Sequence, residues 1–380
     1  MRFLLFLILI IPFWGKAQVH IHGKIMDEFG FVVPDVLVYV DGSSISTYSD
    51  TNGEFSFQIP EGNYTLVFRK EEFQNAIFPI HPKTKNVNIV LKKSEAIELD
   101  EAVIVQLSEE KWKEYYSQFI TLFLGQNKAA KECEILNPKS LRFQYDAENL
   151  ILTARAVEPI KIRNKFLGYN IEYDLADFSM DYRNQFQYVA GTSLFTEMEG
   201  SNSRKKKWMK NRLESYHGSL MHFIRSLYEE RLKENKFVIN RLVRKENPDF
   251  KIFQEKIQDM INRGEVVNVG SAPPRIIQTL YKAEVPYDSL RIKNGNQVFL
   301  NFDGLYDIEF TGEKEDLEYV NRTMGKNLIG NQVSVIYLLN EKWVEIEPNG
   351  NFYPPKDLMT EGYFTWEKTA NLLPLDYEPE

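Results

Sequence analysis

Apolar and polar residues alternate along residues 18–105 with the two-residue period of half-buried strands. The runs are short, and Gly, Pro, Asn or Asp separates them about every 8–12 residues, which is typical of a β-sandwich. Asn52-Gly53 predicts a hairpin turn because both residues tolerate positive φ. The pattern predicts strands at 19–25, 36–40, 55–59, 64–68 and 87–91.

The remainder of the chain mixes the helical and strand periods. Ser108 predicts the cap of a helix that runs to about Leu124 and stops at Gly125. Apolar residues spaced by three and four predict one long helix from about Ser203 to Glu234. Further segments predict helices at 248–264 and 362–373, and strands at 141–145, 150–157, 169–175, 186–189, 276–285, 298–302, 306–310 and 333–339. The fold class is α+β overall, with an all-β N-terminal part.

The N-terminal part carries a spaced motif that resembles a known family. The motif consists of Gly23-x-Ile25, Asp27, Gly30, Pro34-x-Val36-x-Val38-x-Val40, Asp50-x-x-Gly53-x-Phe55 and Gly62-x-Tyr64-x-Leu66. It resembles the carboxypeptidase D regulatory-like domain over about residues 18–92, with a lengthened loop at Phe31-Val32. The resemblance implies a seven-stranded transthyretin-like sandwich, which is a non-catalytic module often appended to exported proteins of Bacteroidetes-type bacteria.

Residues 1–17 have the pattern of a secretory signal peptide. Arg2 precedes an apolar run from Phe3 to Phe13, and small residues follow at Gly15 and Ala17. The run is about half of the ~20 residues that span a bilayer. We therefore expect export to the periplasm or cell surface, a mature chain that starts near residue 18, and no transmembrane segment after cleavage.

An acidic connector at residues 93–110 joins the two parts. Its segment Leu99–Val105 is similar to the one that follows this module in TonB-dependent outer-membrane receptors. Only 275 residues remain after Val105, and their long charged helices do not fit a receptor barrel. Residues 111–380 resemble, at 216–223 and 362–368, the second halves of uncharacterised exported Bacteroidetes proteins, and that resemblance implies no activity.

The net charge limits which classes of partner are expected, and the cysteine count excludes an intramolecular disulfide. Without Arg2 and Lys16, the chain has 44 basic and 54 acidic residues, a net charge of −10. Nucleic acid and anionic membranes both require a basic face, so neither is expected as the main partner. The lone Cys133 cannot form an intramolecular disulfide, and we interpret it as a buried structural thiol.

No metal or cofactor site is predicted. Zinc carboxypeptidases need His-x-x-Glu, and none of the five histidines has Glu three residues later. His20 and His22 share a strand face and offer half a site without a third ligand. Glu214-x-x-His217 has the spacing of half a di-iron site, but the second half is missing. His222 points to the opposite side of the predicted helix from His217, so the two do not easily converge on one metal.

No catalytic residue is predicted either. Gly191 lies two residues before Ser193 and Gly218 directly before Ser219, but both serines lack the second Gly of a nucleophile elbow. Carboxylates at Asp174, Asp177 and Asp181 could pair for glycoside hydrolysis, although a chain with 54 acids produces such spacings by chance.

One basic run is the candidate contact site. It opens the long predicted helix, and cations at a helix start oppose the macrodipole. The run could bind an acidic partner or a phosphate-bearing glycolipid, or it could be a solvated helix face. Its candidate residues are Arg204, Lys205, Lys206, Lys207, Trp208, Lys210 and Arg212.

The sequence thus favours an exported, non-enzymatic envelope protein in which the larger domain binds a protein or a glycan. One alternative is a hydrolase of envelope peptide or polysaccharide, for which a buried carboxylate pair facing a wide cleft would be the sign. Another is an accessory factor of a TonB-dependent receptor, suggested by the connector.

Overall fold

The computed structural model describes residues 18–94, 107–265, 270, 272–322, 328–339 and 343–379. It divides the chain into two units, residues 1–105 and 106–380. The predicted signal peptide and most of the predicted connector lie outside the described residues. Among the described helices, none combines the length and the apolar character needed to cross a membrane.

The first unit is built from strands in two sheets. One sheet has the order β4-β1-β7, with β1 antiparallel to β4 and parallel to β7, and the other has the order β3-β2-β5-β6. Ile21, Ile25, Val38 and Phe68 are fully buried in its core. The strands are β1 Gln18–Asp27, β2 Leu37–Val40, β3 Ser46–Tyr48, β4 Glu54–Pro60, β5 Tyr64–Arg69, β6 Ala76–Ile80 and β7 Ile89–Leu91.

The turn at Asn52-Gly53 forms, but it does not close a hairpin. Asp50 Oδ1 accepts hydrogen bonds from the backbone N–H groups of Asn52 and Glu54, both at 2.8 Å, and Gly53 has a φ of +71°. The flanking strands β3 and β4 belong to different sheets. The hairpin prediction is therefore wrong: the turn carries the chain from one sheet to the other.

The first half of the larger unit packs helices on a six-stranded sheet. Its strand order is β8-β11-β12-β10-β9, with β13 paired to β12. Helix α1 begins after the predicted Ser108 cap, and its Phe119 packs against Phe143 and Phe178 of the sheet. The elements are α1 Glu109–Phe123, α2 Lys128–Lys131, β8 Cys133–Ile135, β9 Leu141–Asp146, β10 Ile151–Ala156, β11 Ile160–Asn164, β12 Tyr169–Asp181 and β13 Phe186–Glu197.

The long helix predicted for residues 203–234 is wrong in its length. The chain instead forms α3, Asn202–Tyr216, and α4, Leu220–Tyr228. Gly218 interrupts them with a φ of +76°, a conformation that L side chains rarely adopt. Ser219 then caps α4 by accepting a hydrogen bond from the backbone N–H of His222 at 3.1 Å.

The second half of the larger unit contains a second core. It lies among α4, the five-stranded sheet β15-β14-β18-β19-β22 and the four-stranded sheet β16-β17-β20-β21. Strand β14 was not predicted, and the helix predicted for 362–373 is only four residues long. The elements are β14 Phe237–Glu246, α5 Pro248–Asn262, β15 Ile276–Tyr281, β16 Arg291–Asn294, β17 Gln297–Leu300, β18 Leu305–Lys314, α6 Leu317–Arg322, β19 Asn331–Leu338, β20 Val344–Ile346, β21 Phe352–Tyr353, β22 Leu358–Gly362 and α7 Tyr363–Trp366.

Candidate functional site

The predicted basic run divides into an exposed part and a structural part. Trp208 is 3% exposed, and its indole Nε1 donates to the backbone oxygen of Lys165 at 3.0 Å. Arg212 donates through Nε to the backbone oxygen of Leu167 at 2.9 Å and lies 3.9 Å above the ring of Tyr169. These two residues hold α3 against the six-stranded sheet, so neither is available to a partner.

The remaining cations of the run are exposed. At 100° per residue, Lys206, Lys207 and Lys210 lie within about 100° of one another, on the side of α3 opposite Trp208. We call these three lysines the basic stripe, and Arg204 and Lys205 flank it. Lys207 has a loose ion pair with Glu132, at 3.5 Å. The other two lysines have no ion-pair partner among the described residues, so the stripe is open to an acidic ligand.

The serine and aspartate candidates do not form a catalytic group. Ser219 stabilises the turn between α3 and α4, because its hydroxyl donates a hydrogen bond to the backbone oxygen of Tyr216 at 2.7 Å. Asp181 accepts hydrogen bonds from the backbone and side chain of Asn184 within a tight turn, and these bonds lower the pKa of its carboxyl. Ser193 is buried on β13, while Asp174 and Asp177 lie along β12 on either side of a bulge.

Within the described part of the chain, no group of three or more His, Cys, Asp or Glu side chains is placed to hold a metal ion. The rings of His20 and His22 lie side by side, with centroids 5.7 Å apart. Burial raises the pKa of the Cys133 thiol to about 12, which keeps it protonated and unreactive.

Sequence reasoning missed a cavity of about 60 Å³ near the start of β19, which we call the polar cavity. Four carboxyl groups line it, and they belong to Glu214, Glu313, Asp316 and Glu367. The other lining residues are Asn127, Lys128, Phe166, Ser215, Lys314, Gln332, Tyr363 and Asn371. Because these residues come from segments far apart in sequence, no local spacing could have indicated the cavity.

Glu367 is the least solvated of the four acids. Burial, together with the carboxylates of Asp316, Glu313 and Glu214, raises the pKa of Glu367 well above its ordinary value of 4.5. Its side chain keeps some accessible surface because it faces the cavity, although it lies deep within the fold. Lys128 is paired with Glu214 and therefore does not neutralise Glu367. Both effects favour the protonated form of Glu367.

The polar cavity is small for the chemistry that its acids suggest. A water molecule takes about 30 Å³ of liquid volume, whereas ligand pockets are ~300–1,000 Å³. A cavity of about 60 Å³ holds water rather than a peptide or a sugar chain. Among the described residues, the polar cavity brings together the buried carboxylates expected for a hydrolase, but it does not open into a wide cleft.

A second cavity, of about 140 Å³, lies on the other side of the Gly218 turn. We call it the histidine cavity, because His217 and His222 line it with ring centroids 5.7 Å apart. The prediction that these two histidines point to opposite sides is therefore wrong. The interruption at Gly218 reorients α4 and brings both rings to the same place.

The N-terminal resemblance is confirmed by comparison with known families. Residues 21–104 match the family model described as the CarboxypepD_reg-like domain. This segment is a CarboxypepD_reg-like domain.

A curated relative matches about a quarter of this chain. TonB-dependent receptor P39 of Formosa agariphila is 32% identical over 96 residues, which are 25% of this chain. The match spans only 9% of the receptor's length. The relationship is therefore confined to a small part of both proteins.

Among solved structures, a DUF3823 family protein from Bacteroides ovatus is 14% identical, with 48% of this chain and 83% of that chain covered and a TM-score of 0.18. A membrane-associated protein of unknown function from Bacteroides fragilis is 9% identical. The similarity covers 87% of this chain and 94% of that chain, with a TM-score of 0.17. At such TM-scores, neither similarity supports a conclusion about this chain.

Proposed function

We propose that this chain is an exported, non-enzymatic protein of a bacterial envelope whose larger domain binds a protein or glycan partner. In this proposal residues 1–17 are the signal peptide, 18–92 a seven-stranded transthyretin-like module, 93–110 the connector and 111–380 the binding domain. The apolar N-terminal run and the CarboxypepD_reg-like domain support export. The non-catalytic character of that domain family supports binding rather than catalysis.

The basic stripe is the observation that carries the proposal. Its lysines are exposed on a helix that Trp208 and Arg212 anchor firmly, in a chain whose formal net charge is −8. Such a local cation cluster attracts an acidic or phosphate-bearing surface, and the attraction weakens as salt screens it. The partner is therefore an acidic envelope protein or a phosphate-bearing glycan.

Crosslinking in cells tests the stripe. The tagged protein is compared with the triple variant Lys206→Gln, Lys207→Gln and Lys210→Gln, and captured species are identified. The matched control replaces three exposed lysines elsewhere, at Lys251, Lys256 and Lys293. We expect the stripe variant to lose a captured envelope partner that the control variant retains. Equal capture by both variants would contradict the proposal.

Glu367 motivates a second candidate, a hydrolase of envelope peptide or polysaccharide. A protonated buried acid can serve as a general acid. The assay measures release of soluble fragments from purified cell-wall material by the intact protein and by Glu367→Gln. Fragment release by the intact protein that is lost in the variant would favour the hydrolase over the binding protein.

The matched receptor motivates a third candidate, an accessory factor of a TonB-dependent receptor. The segment Leu99–Val105 is also similar in sequence to the one that follows the regulatory-like module in such receptors. Deleting residues 18–105 should then abolish co-purification with such receptors. Unchanged co-purification would reject this role.

A further inference from the structure

Strand β15 of the larger unit lies at an open edge of its sheet. Among the described strands it pairs only with β14, so its other side has no neighbouring strand. All of its residues, Ile276–Tyr281, are exposed. Proteins normally protect such an edge with charged residues, Pro or a bulge, because unpaired backbone groups bind other strands. The six residues of β15 include no charge and no Pro, and their pairing with β14 has no bulge.

The pairing of β15 with β14 shows which backbone groups face the open edge. The backbone N–H of Asn247 donates to the backbone oxygen of Arg275 at 2.9 Å, and the antiparallel register continues along β15. In an antiparallel ladder, residues that bond to the partner strand alternate with residues whose N–H and C=O point away from it. Ile276, Gln278 and Leu280 therefore present their backbone donors and acceptors to the open edge. This is the arrangement that an additional strand requires.

One face of the β14–β15 pair is basic. Arg275 precedes β15 and Lys282 follows it, and both are exposed. The register places Lys245 opposite Ile277, so Lys245, Arg241 and Arg275 lie on the same face of the two strands. No acid of either strand shares that face, and none of its three cations forms an ion pair within the described residues. The face is therefore open to acidic side chains.

The opposite face of the pair has a different character. Glu246 lies on it, and Arg244 is already bound there by both carboxylate oxygens of Glu361, at 2.9 and 2.7 Å. At the open edge, this face presents the aliphatic side chains of Ile276 and Leu280. Because the side chains of a strand point to alternate faces, a segment that alternates acidic and aliphatic residues matches both faces of the edge.

A second copy of this chain matches the edge less well. Pairing β15 with itself would bring Arg275 and Lys282 of both copies to one seam, which would hold four cations and no acid from the two strands or their immediate flanks. The charges therefore favour an acidic partner over another copy.

We propose that β15 binds an extended segment of an acidic partner protein, which adds to the sheet as a further strand with alternating acidic and aliphatic side chains. Its backbone pairs with Ile276, Gln278 and Leu280, and its acidic side chains lie on the face of Arg275 and Lys245. This surface is formed by other elements than the basic stripe on α3. Because substitutions in the stripe leave β15 unchanged, failure of one surface is distinguishable from failure of the other.

Peptide binding to the full chain tests the proposal. The probe is a fluorescein-labelled peptide of four Val-Glu repeats, and fluorescence polarisation measures its affinity. One control peptide has four Val-Lys repeats, which reverses the charge. Another has four Val followed by four Glu, which keeps the composition but removes the alternation. We expect both controls to bind about tenfold more weakly than the Val-Glu repeats. Equal binding of either control would overturn the proposal.

Hydrogen exchange locates the bound peptide. In the free chain the backbone N–H groups of Ile276, Gln278 and Leu280 should exchange quickly, whereas those of the residues between them are protected by β14. Saturation with the Val-Glu peptide should slow the exchange of these three groups, as read by mass spectrometry at residue resolution. Binding that leaves their exchange unchanged would contradict the proposal. So would protection that appears without peptide as the protein concentration rises, because a second copy would then occupy the edge.

Two variants separate the backbone contribution from the charge contribution. Gln278→Pro removes an N–H that points to the open edge and no bond to β14, so it should weaken peptide binding about tenfold, whereas Gln278→Thr keeps the N–H and should not. Replacing Arg275 and Lys245 with Gln should also weaken binding about tenfold, and it leaves the backbone intact if the proline variant does not fold. The matched control replaces the exposed Lys83 and Lys85 of the N-terminal unit. Unchanged affinity of the charge variant relative to this control would show that the proposal is wrong.

Discussion

Replacing Glu367 with glutamine tests whether the polar cavity holds its acid in the protonated form. Glutamine has nearly the shape of a protonated carboxyl group and cannot ionise. In the folded chain the pKa of Glu367 lies well above 4.5, whereas in the unfolded chain it returns to that value. Between these two pKa values the folded state binds one proton more than the unfolded state.

The sign and size of the effect follow from proton linkage. Because the folded state holds the extra proton, the free energy of unfolding falls as pH rises, by about 1.4 kcal/mol per pH unit within this window. Below pH 4.5 both states are protonated, and the contribution is fully present. Glu367→Gln removes this dependence. Its stability relative to the parent protein should therefore increase by about 1 kcal/mol between pH 5 and pH 6.

Urea unfolding at several pH values measures this difference. Apart from Trp14, all tryptophans lie in the larger unit, at 112, 208, 343 and 366, so their fluorescence reports on that unit in the full chain. The control is Glu255→Gln, the same chemical change on the exposed face of α5. A stability difference for Glu367→Gln that is independent of pH, or that shrinks as pH rises, would refute the reasoning about this cavity.

Three further predictions concern the fold of the larger unit. Gly218→Ala should lower the free energy of unfolding by about 2–4 kcal/mol, because Gly218 has a positive φ and the added Cβ would lie 2.1 Å from the Gln332 side chain. The control is Gly264→Ala, which also has a positive φ but has open space around it. In the same urea titration the control should lose only about 1 kcal/mol. Arg225→Met should cost about 3 kcal/mol and speed proteolysis of the C-terminal segment, since Arg225 donates to three backbone oxygens of residues 349, 375 and 377. Iodoacetamide should alkylate Cys133 about 1,000-fold more slowly in the native chain than in urea, because burial raises the pKa of the thiol from 9 to about 12. Mass spectrometry measures the alkylated fraction over time.

Local signals in the sequence predict several elements well. Helix α1 begins after Ser108, and α5 begins after Asn247, where a side-chain cap precedes a regular apolar stripe. The motif that resembles the carboxypeptidase D regulatory-like domain is confirmed by the family match to residues 21–104. These features depend on residues close together in the chain, which is why sequence reasoning reaches them.

The predicted long helix failed for an identifiable reason. Apolar positions keep a spacing of three and four from Leu213 through Phe223, since both α3 and α4 need a buried face. The periodicity therefore continues across a place where the helix does not. The local signal of a break was present in Gly218-Ser219, a C-terminal glycine followed directly by an N-capping serine.

Both cavities depend on contacts that no local pattern encodes. The acids of the polar cavity come from α3, from β18 and the residues after it, and from the residues after α7. Their proximity is created by packing the second core against the first. The same holds for Phe310 and His222, which are 88 positions apart in the printed sequence but have ring centroids 5.6 Å apart. Sequence reasoning could name His222 as a candidate, but not its neighbours.

The Gly218 turn connects these observations, because one interruption creates the geometry of both cavities. On a continuous helix, residues 217 and 222 would be about 140° apart around the axis, and their rings would diverge. Gly218 instead allows α4 to begin in a new direction, and the backbone N–H of Gly218 donates a hydrogen bond to His222 Nδ1. On the other side, the missing Cβ of Gly218 leaves room for Gln332, whose buried Oε1 has no partner in the described part of the chain. A side chain at this position would disturb both cavities together, whereas Gly312→Ala, at a residue that lines the histidine cavity, would disturb only that cavity.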